Sequence, residues 1–236
     1  MLFEAKILSS PHSNLPMVRI VFLFSLLFSC LKPFAQKPST DYYDTDHKKK
    51  KWEGVMTDSI KDGPWTYWYE NGKVQSKGSY AADEKTGNWE TFFETGKLES
   101  KVAYKEGFQD GKAQTFYKNG NPKEEASYLQ GEPDGKIETW YENGKKKAIG
   151  NYQKGVRSGE WTEFYETGKL KNQGLYKEGE MEGLWTEYHE NEVKKADGTY
   201  LAGAKNGKWM YYNTQGKPTK EETWKKGTLG KSRTLK

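Results

Sequence analysis

Aromatic residues recur in this sequence at a fixed spacing, and a row of evenly spaced rings could stack on flat or apolar groups of a ligand. From Gly63 onward a glycine returns every 24 residues, and the residue two places after each glycine is defined here as position 0 of a copy. Position +3 is aromatic in all seven copies, so these rings form the predicted binding face. They are Trp68, Phe92, Phe116, Trp140, Phe164, Tyr188 and Tyr212.

Residues that could catalyse a reaction or hold a metal ion do not converge in the sequence. The histidines His12, His47 and His189 share no metal-ligand spacing, whereas a zinc site needs three or four converging ligands. Gly-Lys-Ser at 230–232 lacks the first half of a phosphate-binding loop. Glutamates recur before the hairpin turns, but a catalytic pair needs two unlike environments and a repeat supplies like ones. We therefore predict no catalytic residue, no cofactor and no metal, in a protein that is not an enzyme.

The other repeating columns describe the structural unit that must position these rings. Position 0 is Trp65, Trp89, Trp161, Trp185 and Trp209, and it is Ala113 and Ile137 in the third and fourth copies. The glycines that start the copies are Gly63, Gly87, Gly111, Gly135, Gly159, Gly183 and Gly207. Position +4 is mostly Tyr or Phe, and position +15 is always Tyr or Trp. These columns indicate a repeat with no insertion between copies.

Each copy has the pattern of a β-hairpin, as in residues 159–182. A first strand of about residues 160–166 is rich in Trp, Thr, Phe and Tyr, which favour strands. Gly168 suits the left-handed position of a short hairpin loop, and a second strand of about residues 170–176 follows. A helix is disfavoured because frequent glycines cost about 1 kcal/mol each in a helix interior. The sequence therefore predicts an all-β, elongated, single-file antiparallel sheet of about seven consecutive hairpins and fourteen strands.

Alternation along a strand predicts which positions share a face. Positions 0 and +4 share one face of the first strand, and positions +9 (Leu98, Leu170), +13 and +15 share one face of the second. We expect these two sets to stack as the core side. Glycine at +13 would let a neighbouring ring lie close to the backbone. Position +3 then points to the opposite face unless a bulge shifts the register.

The chain divides into five predicted segments. They are a signal region at 1–35, a polar linker at 36–51, a capping strand at 52–62, the repeats at 63–230 and a basic tail at 231–236. The seven copies are 63–86, 87–110, 111–134, 135–158, 159–182, 183–206 and 207–230.

The N-terminal region has the pattern of an export signal. An apolar run at 20–29 follows Arg19, and Met17 is a possible start. Cleavage after Ala35 is one interpretation, and lipid attachment at Cys30 is the alternative. Either one predicts a protein exported to the periplasm, the outer membrane or the exterior of a Gram-negative bacterium.

The composition argues against a nucleic-acid partner. The formal charge is +5 and the pI is about 8.9, with acidic and basic residues interspersed. Nucleic-acid binders usually carry a basic stripe, whereas this chain has one basic run, Lys48–Lys51, which fits a solvated linker. Hydrophobic residues make up 33% and aromatic residues 15%, so a thin layer of rings must supply the burial that a deep aliphatic core would give.

The repeat unit resembles the MORN repeat, and especially its bacterial variant. The pattern G-x-W-x-x-[FY]-[FY]-x-x-G-K is found at 87–97 and 159–169 and, with Trp68 as the first ring, at 63–73, and Y-x-x-G follows. The resemblance extends over about residues 63–227. It implies a single-file sheet of hairpins that serves as a scaffold or contact surface, and some bacterial members carry an antitoxin label. The sixth copy departs from the pattern, with His189 at +4.

These observations favour a non-catalytic scaffold of the bacterial cell envelope that binds a protein through its aromatic face. The alternatives are a module that binds a glycan such as peptidoglycan, one that contacts an anionic membrane, and an antitoxin-like binder of a toxin protein. The rings at +3 could also serve only to pack the sheet. The sequence leaves the oligomeric state and the identity of the partner open.

Overall fold

The computed structural model describes residues 37–236, and these residues form 17 strands and no helix. The strands are β1 (Ser39–Tyr42), β2 (Lys50–Thr57), β3 (Ile60–Trp68), β4 (Val74–Ala81), β5 (Glu84–Phe92), β6 (Leu98–Lys105), β7 (Phe108–Phe116), β8 (Pro122–Leu129), β9 (Glu132–Trp140), β10 (Lys146–Gln153), β11 (Val156–Phe164), β12 (Leu170–Lys177), β13 (Glu180–Tyr188), β14 (Lys194–Leu201), β15 (Ala204–Tyr212), β16 (Pro218–Lys225) and β17 (Thr228–Thr234). The predicted signal region, with Met17 and Cys30, lies outside the described residues.

Every strand pairs antiparallel with the strand that follows it in the chain, so the 17 strands form one open sheet. This confirms the all-β sheet of consecutive hairpins predicted from the repeat. The strands outnumber the predicted fourteen because both ends continue the sheet. β1 lies within the segment predicted as a linker, β2 overlaps the predicted capping strand, and β17 extends into the predicted basic tail.

Two kinds of turn alternate along the edges of the sheet. Successive copies are joined by two-residue turns in which both residues have a positive φ, as type I′ turns require. Between β12 and β13 these residues are Glu178 at 52° and Gly179 at 85°. The hairpin loop within a copy is longer, and in copy five Gly168 has a φ of 88° and donates its N–H to the carbonyl of Tyr165 at 2.8 Å.

The glycine that starts each copy lies in a β-bulge, and all seven glycines of this column have a φ between 65° and 105°. Lys77 on β4 pairs with Glu90 on β5, and Ser79 pairs with Thr86. Two steps along β4 therefore correspond to four steps along β5. The longer span on β5 contains Gly87, at a φ of 65°. Glycine adopts this left-handed conformation without the steric cost that a side chain would bring, which explains why the column is invariant.

A second bulge changes the face of position +9. In copy five the pairing steps from Glu163 opposite Asn172 to Phe164 opposite Leu170, which is one residue on β11 and two on β12. Side chains directly opposite each other lie on the same face, so +9 lies beside +3 and not with +13 and +15. The predicted face of +9 was therefore wrong, because the additional residue in the bulge breaks the alternation on which it depended.

Each tryptophan at position 0 packs on the glycine at +13 of the preceding strand. A Cβ atom added to Gly174 would lie 2.2 Å from a ring carbon of Trp185, so only glycine fits beneath the indole. The indole N–H of Trp185 donates to the carbonyl of Leu175 at 3.1 Å, which satisfies its one polar group. The same packing joins Gly54 to Trp65, Gly78 to Trp89, Gly150 to Trp161 and Gly198 to Trp209.

The third and fourth copies show that positions +13 and 0 change together. Val102 occupies +13 before copy three, and it lies opposite Ala113 in place of a tryptophan. Ala126 occupies +13 before copy four, and it lies opposite Ile137. A side chain at +13 and an indole at the next position 0 would occupy the same space. The two residues that interrupt the tryptophan column are therefore explained by their partners across the strand pair.

Position +4 links neighbouring copies along the hairpin-loop edge. The hydroxyl of Tyr165 donates to the carbonyl of Tyr188 in the next copy at 2.6 Å. Equivalent bonds are donated by Tyr69, Tyr117 and Tyr141. His189 places its Nε2 2.9 Å from the carbonyl of Tyr212, so the imidazole substitutes for a tyrosine in this row.

The phenylalanine at +4 of copy two provides a natural comparison for these bonds. We expect Tyr165→Phe to lower the free energy of unfolding by about 1 kcal/mol, because one buried hydrogen bond is lost while the ring still fits. The reverse change, Phe93→Tyr, should raise it by a similar amount. Urea unfolding of both variants measures the effect, and equal stabilities of the two variants and the parent protein would exclude a role for this row.

Candidate binding face

The face that carries the position 0 side chains, called here the tryptophan face, leaves little ring surface accessible. Its five tryptophans are between 1% and 5% exposed. Cations lie over several of the rings, with Lys205 Nζ 4.2 Å from the centroid of Trp209 and the Arg157 guanidinium carbon 4.3 Å from that of Trp161. Such a cation covers the ring and is attracted by its negative face. The tryptophan face is therefore already occupied by the side chains of the chain itself.

The tyrosines at +15 complete the packing of the tryptophan face. The rings of Tyr176 and Trp185 lie edge to face, with centroids 5.2 Å apart and planes at 90°. Burial raises the pKa of Tyr80 to about 12, and its hydrogen bond with Tyr67 acts in the same direction. This tyrosine stays neutral at physiological pH, as expected of a residue that packs and does not exchange protons.

The opposite face, called here the ladder face, carries the seven rings at +3. Each ring belongs to the last residue of the first strand of its copy. Side chains alternate along a strand, so position +3 points away from position 0. The structure thus brings all seven rings of the predicted binding face onto one side of the sheet, where each is half-buried.

The rings of the ladder face follow one another at regular intervals. Consecutive rings are separated by two strands, which corresponds to about 9.6 Å along the sheet, so seven rings cover a little under 60 Å. Sheets twist, so successive rings are also rotated relative to one another. A ligand that contacts several rings must therefore be long and must follow this rotation.

The ladder rings also contribute to the packing of their own face. Leu170 lies opposite Phe164, so an aliphatic side chain flanks that ring. The Nζ of Lys77 lies 5.6 Å from the centroid of Phe92, and that of Lys194 lies 5.6 Å from the centroid of Tyr212. The rings are therefore anchored by neighbours and still present part of their surface to solvent.

Ion pairs between lysine and glutamate side chains lie on the ladder face between the rings. Lys77 lies 3.1 Å from Glu90, and Lys112 lies 2.8 Å from Glu125. Hydrogen bonds from Lys112 and Gln114 lower the pKa of Glu125 below its usual value. Surface pairs of this kind contribute little to stability, but they define a polar surround for the rings.

Most of the exposed large apolar side chains that the structure describes also lie on the ladder face, whereas Leu229 lies opposite Trp224 on the tryptophan face. Strand alternation and register place seven of them there: Ile60, Phe108, Leu129, Val156, Leu175, Leu184 and Leu201. Leu184 is 61% exposed and Phe108 is 59% exposed, more than any other large apolar residue that the structure describes. Reasoning from the sequence missed them because it followed the invariant columns. Their signal is weak, because they stand in columns that hold polar residues in some copies and apolar residues in others.

The described residues provide neither a metal site nor a membrane span of helical type. Within residues 37–236, no group of three or more His, Cys, Asp or Glu side chains is placed to hold a metal ion. In the same range, no helix is long and apolar enough to cross a bilayer.

Comparison with known families agrees with this geometry. The family described as MORN repeat variant matches residues 61–82, 85–106, 109–130, 133–154, 157–178 and 181–202. A search of curated proteins finds no match to the chain. The matched segments make up more than half of the sequence and repeat with the period of the hairpins. The chain therefore belongs to the MORN repeat variant family.

Proposed function

We propose that this protein is a non-catalytic scaffold of the bacterial cell envelope that binds a protein partner through its ladder face. One observation carries the proposal: seven exposed apolar side chains and the seven rings share one face, while cations and tyrosines cover the other. Aromatic residues within a polar surround are the composition of a protein interface. The ladder face therefore suits recognition of an extended surface.

The envelope location rests on the N-terminal pattern. Residues 20–29 are apolar and follow Arg19, as in signal peptides. Cleavage near Ala35 would release the repeats into the periplasm or beyond it, and attachment at Cys30 would anchor them to a membrane. Determining the N-terminal residue of the protein purified from its bacterium by mass spectrometry distinguishes the two routes, and an intact Met1 or Met17 would contradict both.

Serine at four central rings should remove binding and leave the fold intact. The quadruple variant changes Phe92, Phe116, Trp140 and Phe164 to Ser, while the rings of the tryptophan face stay in place. We expect capture of the native partner from solubilised envelopes to fall at least tenfold, because interface rings are the usual centres of binding energy. Circular dichroism and the midpoint of urea unfolding measure the fold in parallel.

A matched control uses lysines of the tryptophan-face side. Lys123 and Lys147 lie 6.0 Å and 5.8 Å from the centroids of Tyr117 and Tyr141, and serine at both should leave capture unchanged. Capture that survives in the folded quadruple variant would contradict the proposal. If the quadruple variant unfolds, a photo-reactive amino acid at Tyr188 should still cross-link the partner, whereas one at Lys147 should not.

A glycan is the second candidate, and the spacing of the rings favours it. The seven rings follow one another in a single row about 9.6 Å apart, on which successive sugar rings of an extended glycan could stack. Retention on insoluble peptidoglycan, lost in the quadruple variant, would support this function. Retention that the four substitutions do not change would assign the rings to a protein or to packing.

A further inference from the structure

Copies five and six carry an apolar pair that the repeat does not require. Leu175 on β12 and Leu184 on β13 are 44% and 61% exposed on the ladder face. Other copies have at the position of Leu175 the residues Ser79, Ala103, Ser127, Asn151, Thr199 and Thr223. At the position of Leu184 they have Pro64, Asn88, Lys112, Lys136, Glu160 and Lys208. Seven copies with one fold act as internal controls, so the two leucines are not needed for folding.

The floor of the surface between the two leucines is formed by uncharged polar side chains. The two leucines line a shallow depression together with Thr162, Gln173 and Thr186, and we call these five residues the leucine patch. The corresponding positions of copies one and two hold the ion pair of Lys77 with Glu90, 3.1 Å apart. With glutamine and threonine in place of the ion pair, a partner that covers this part of the face has neutral groups to desolvate and no charges, which costs less free energy.

Carboxylates border the leucine patch on the same face. Glu160 and Glu182 lie opposite Leu175 on its two neighbouring strands, and Glu180 lies two pairs further along, opposite Lys177. None of these three carboxylates has a cation within 4.0 Å among residues 37–236. Glu182 accepts a hydrogen bond from the backbone of Ala202 at 2.9 Å, which fixes its position at the border. The patch thus combines an apolar centre with an acidic border.

We propose that the leucine patch anchors a protein segment that presents an apolar side chain flanked by lysine or arginine. This inference rests on the proposed function and locates its energetic centre, since interface energy is concentrated in a few well-packed residues. The flanking cations would pair with Glu160 and Glu182, the two carboxylates that lie directly opposite Leu175. A second copy of this chain does not fit, because two patches face to face would bring like carboxylates together.

Two substitutions test the patch without altering the repeat. Leu175→Ser and Leu184→Asn introduce the residues that copies one and two already have at these positions, Ser79 and Asn88, so the double variant should fold normally. The probe is a synthetic peptide of alternating leucine and lysine, compared with peptides that carry glutamate in place of lysine or serine in place of leucine. Methyl NMR of leucine-labelled protein and fluorescence anisotropy measure binding.

We expect the leucine–lysine peptide to shift the methyl signals of Leu175 and Leu184, and the double variant to bind it at least tenfold more weakly. Both comparison peptides should bind at least tenfold more weakly to the parent protein. Leu229→Ser is the matched control, because Leu229 is a similarly exposed leucine that lies opposite Trp224 on the tryptophan face, and it should leave the affinity unchanged.

Three results would overturn the inference. They are unchanged methyl signals, equal affinity for the glutamate peptide, and a dimer in sedimentation that the double variant abolishes, which would assign the patch to a second copy. Capture from envelopes separates this inference from the proposed function. Loss of capture in the quadruple ring variant with full capture in the leucine variant would leave the proposed function in place and reject the leucine patch. Full capture in both variants would reject both.

Discussion

Valine at Gly174 is expected to destabilise copies five and six by at least about 3 kcal/mol, because its side chain would overlap the ring of Trp185. The glycine is not in a left-handed conformation, so valine suits its backbone and the cost comes from packing. Urea unfolding followed by tryptophan fluorescence measures the loss, and hydrogen exchange of β12 and β13 locates it. Gln173→Val, on the opposite face of the same strand, is the control and should change stability by about 0.5 kcal/mol or less.

A second substitution should compensate for the first. Trp185→Ala alone is expected to cost about 3–5 kcal/mol, as for other large side chains removed from a core. The double variant with Gly174→Val recreates the pair that Val102 and Ala113 already form. We expect it to lose at least about 2 kcal/mol less than the sum of the two single losses. Additive losses would mean that glycine and tryptophan are not coupled, and that the third and fourth copies vary for another reason.

The acid sensitivity of the last copy should depend on Glu222. This residue occupies +13 of copy seven, where four other copies have a glycine beneath the next tryptophan, and it is 7% exposed. Its carboxylate accepts hydrogen bonds from Tyr211 Oη at 2.6 Å and Trp224 Nε1 at 3.0 Å, and it lies 2.9 Å from Lys220 Nζ. This buried charge with three partners takes the place that a tryptophan at position 0 of an eighth copy would occupy. The row of tryptophans therefore ends here.

These partners predict how stability depends on pH. The hydrogen bonds from Lys220 and Tyr211 lower the pKa of Glu222 to about 2, although burial opposes them. Because the folded pKa lies below the unfolded one, the carboxylate contributes about 3 kcal/mol above pH 5. This contribution declines as pH falls from about 5 toward 2. The variant Glu222→Gln should be less stable than the parent at pH 7, and the difference should close by pH 2.

Hydrogen exchange of β15, β16 and β17 follows this difference locally, since the end of a repeat array can open separately. Other carboxylates titrate in both proteins, so the difference between variant and parent isolates Glu222. A difference that stays constant from pH 7 to pH 2 would contradict the assigned pKa. It would mean that the glutamine variant is less stable because of the shape of its side chain and not because of the lost charge.

The invariant columns of the sequence were sufficient to predict the hairpin repeat. They also predicted that the rings at +3 lie on the face of the sheet opposite the tryptophans. A strand period of two and the spacing of glycines determine these features, as at Trp161 and Phe164 in one strand. Position +9 was assigned to the wrong face because a bulge adds one residue, and no residue type at 170–172 marks that bulge. The coupling of Gly174 to Trp185 joins residues eleven apart, and it is visible in the sequence only when departures are compared.

The strands at the two ends of the array and the leucine patch could not be predicted from the repeat pattern, for a different physical reason. β1 and β17 lack the rings and glycines of the repeat, and they form because a sheet edge offers free backbone groups to any extended segment. Leu175 and Leu184 differ from the other residues in their columns, and a single sequence does not indicate which of such differences form a surface. Only the register, which places both leucines on one face with uncharged residues between them and glutamates at the border, shows that they form a surface.

Oxidative footprinting of the exported protein, alone and bound to envelope fractions, compares the two faces in one measurement. We expect the rings at Phe92, Phe164 and Tyr188 to become protected by at least fivefold in the bound state, while Tyr104 and Tyr152 of the tryptophan face react equally in both. Protection of Tyr104 and Tyr152 with unchanged reactivity at the ladder rings would show that the partner binds the other side of the sheet.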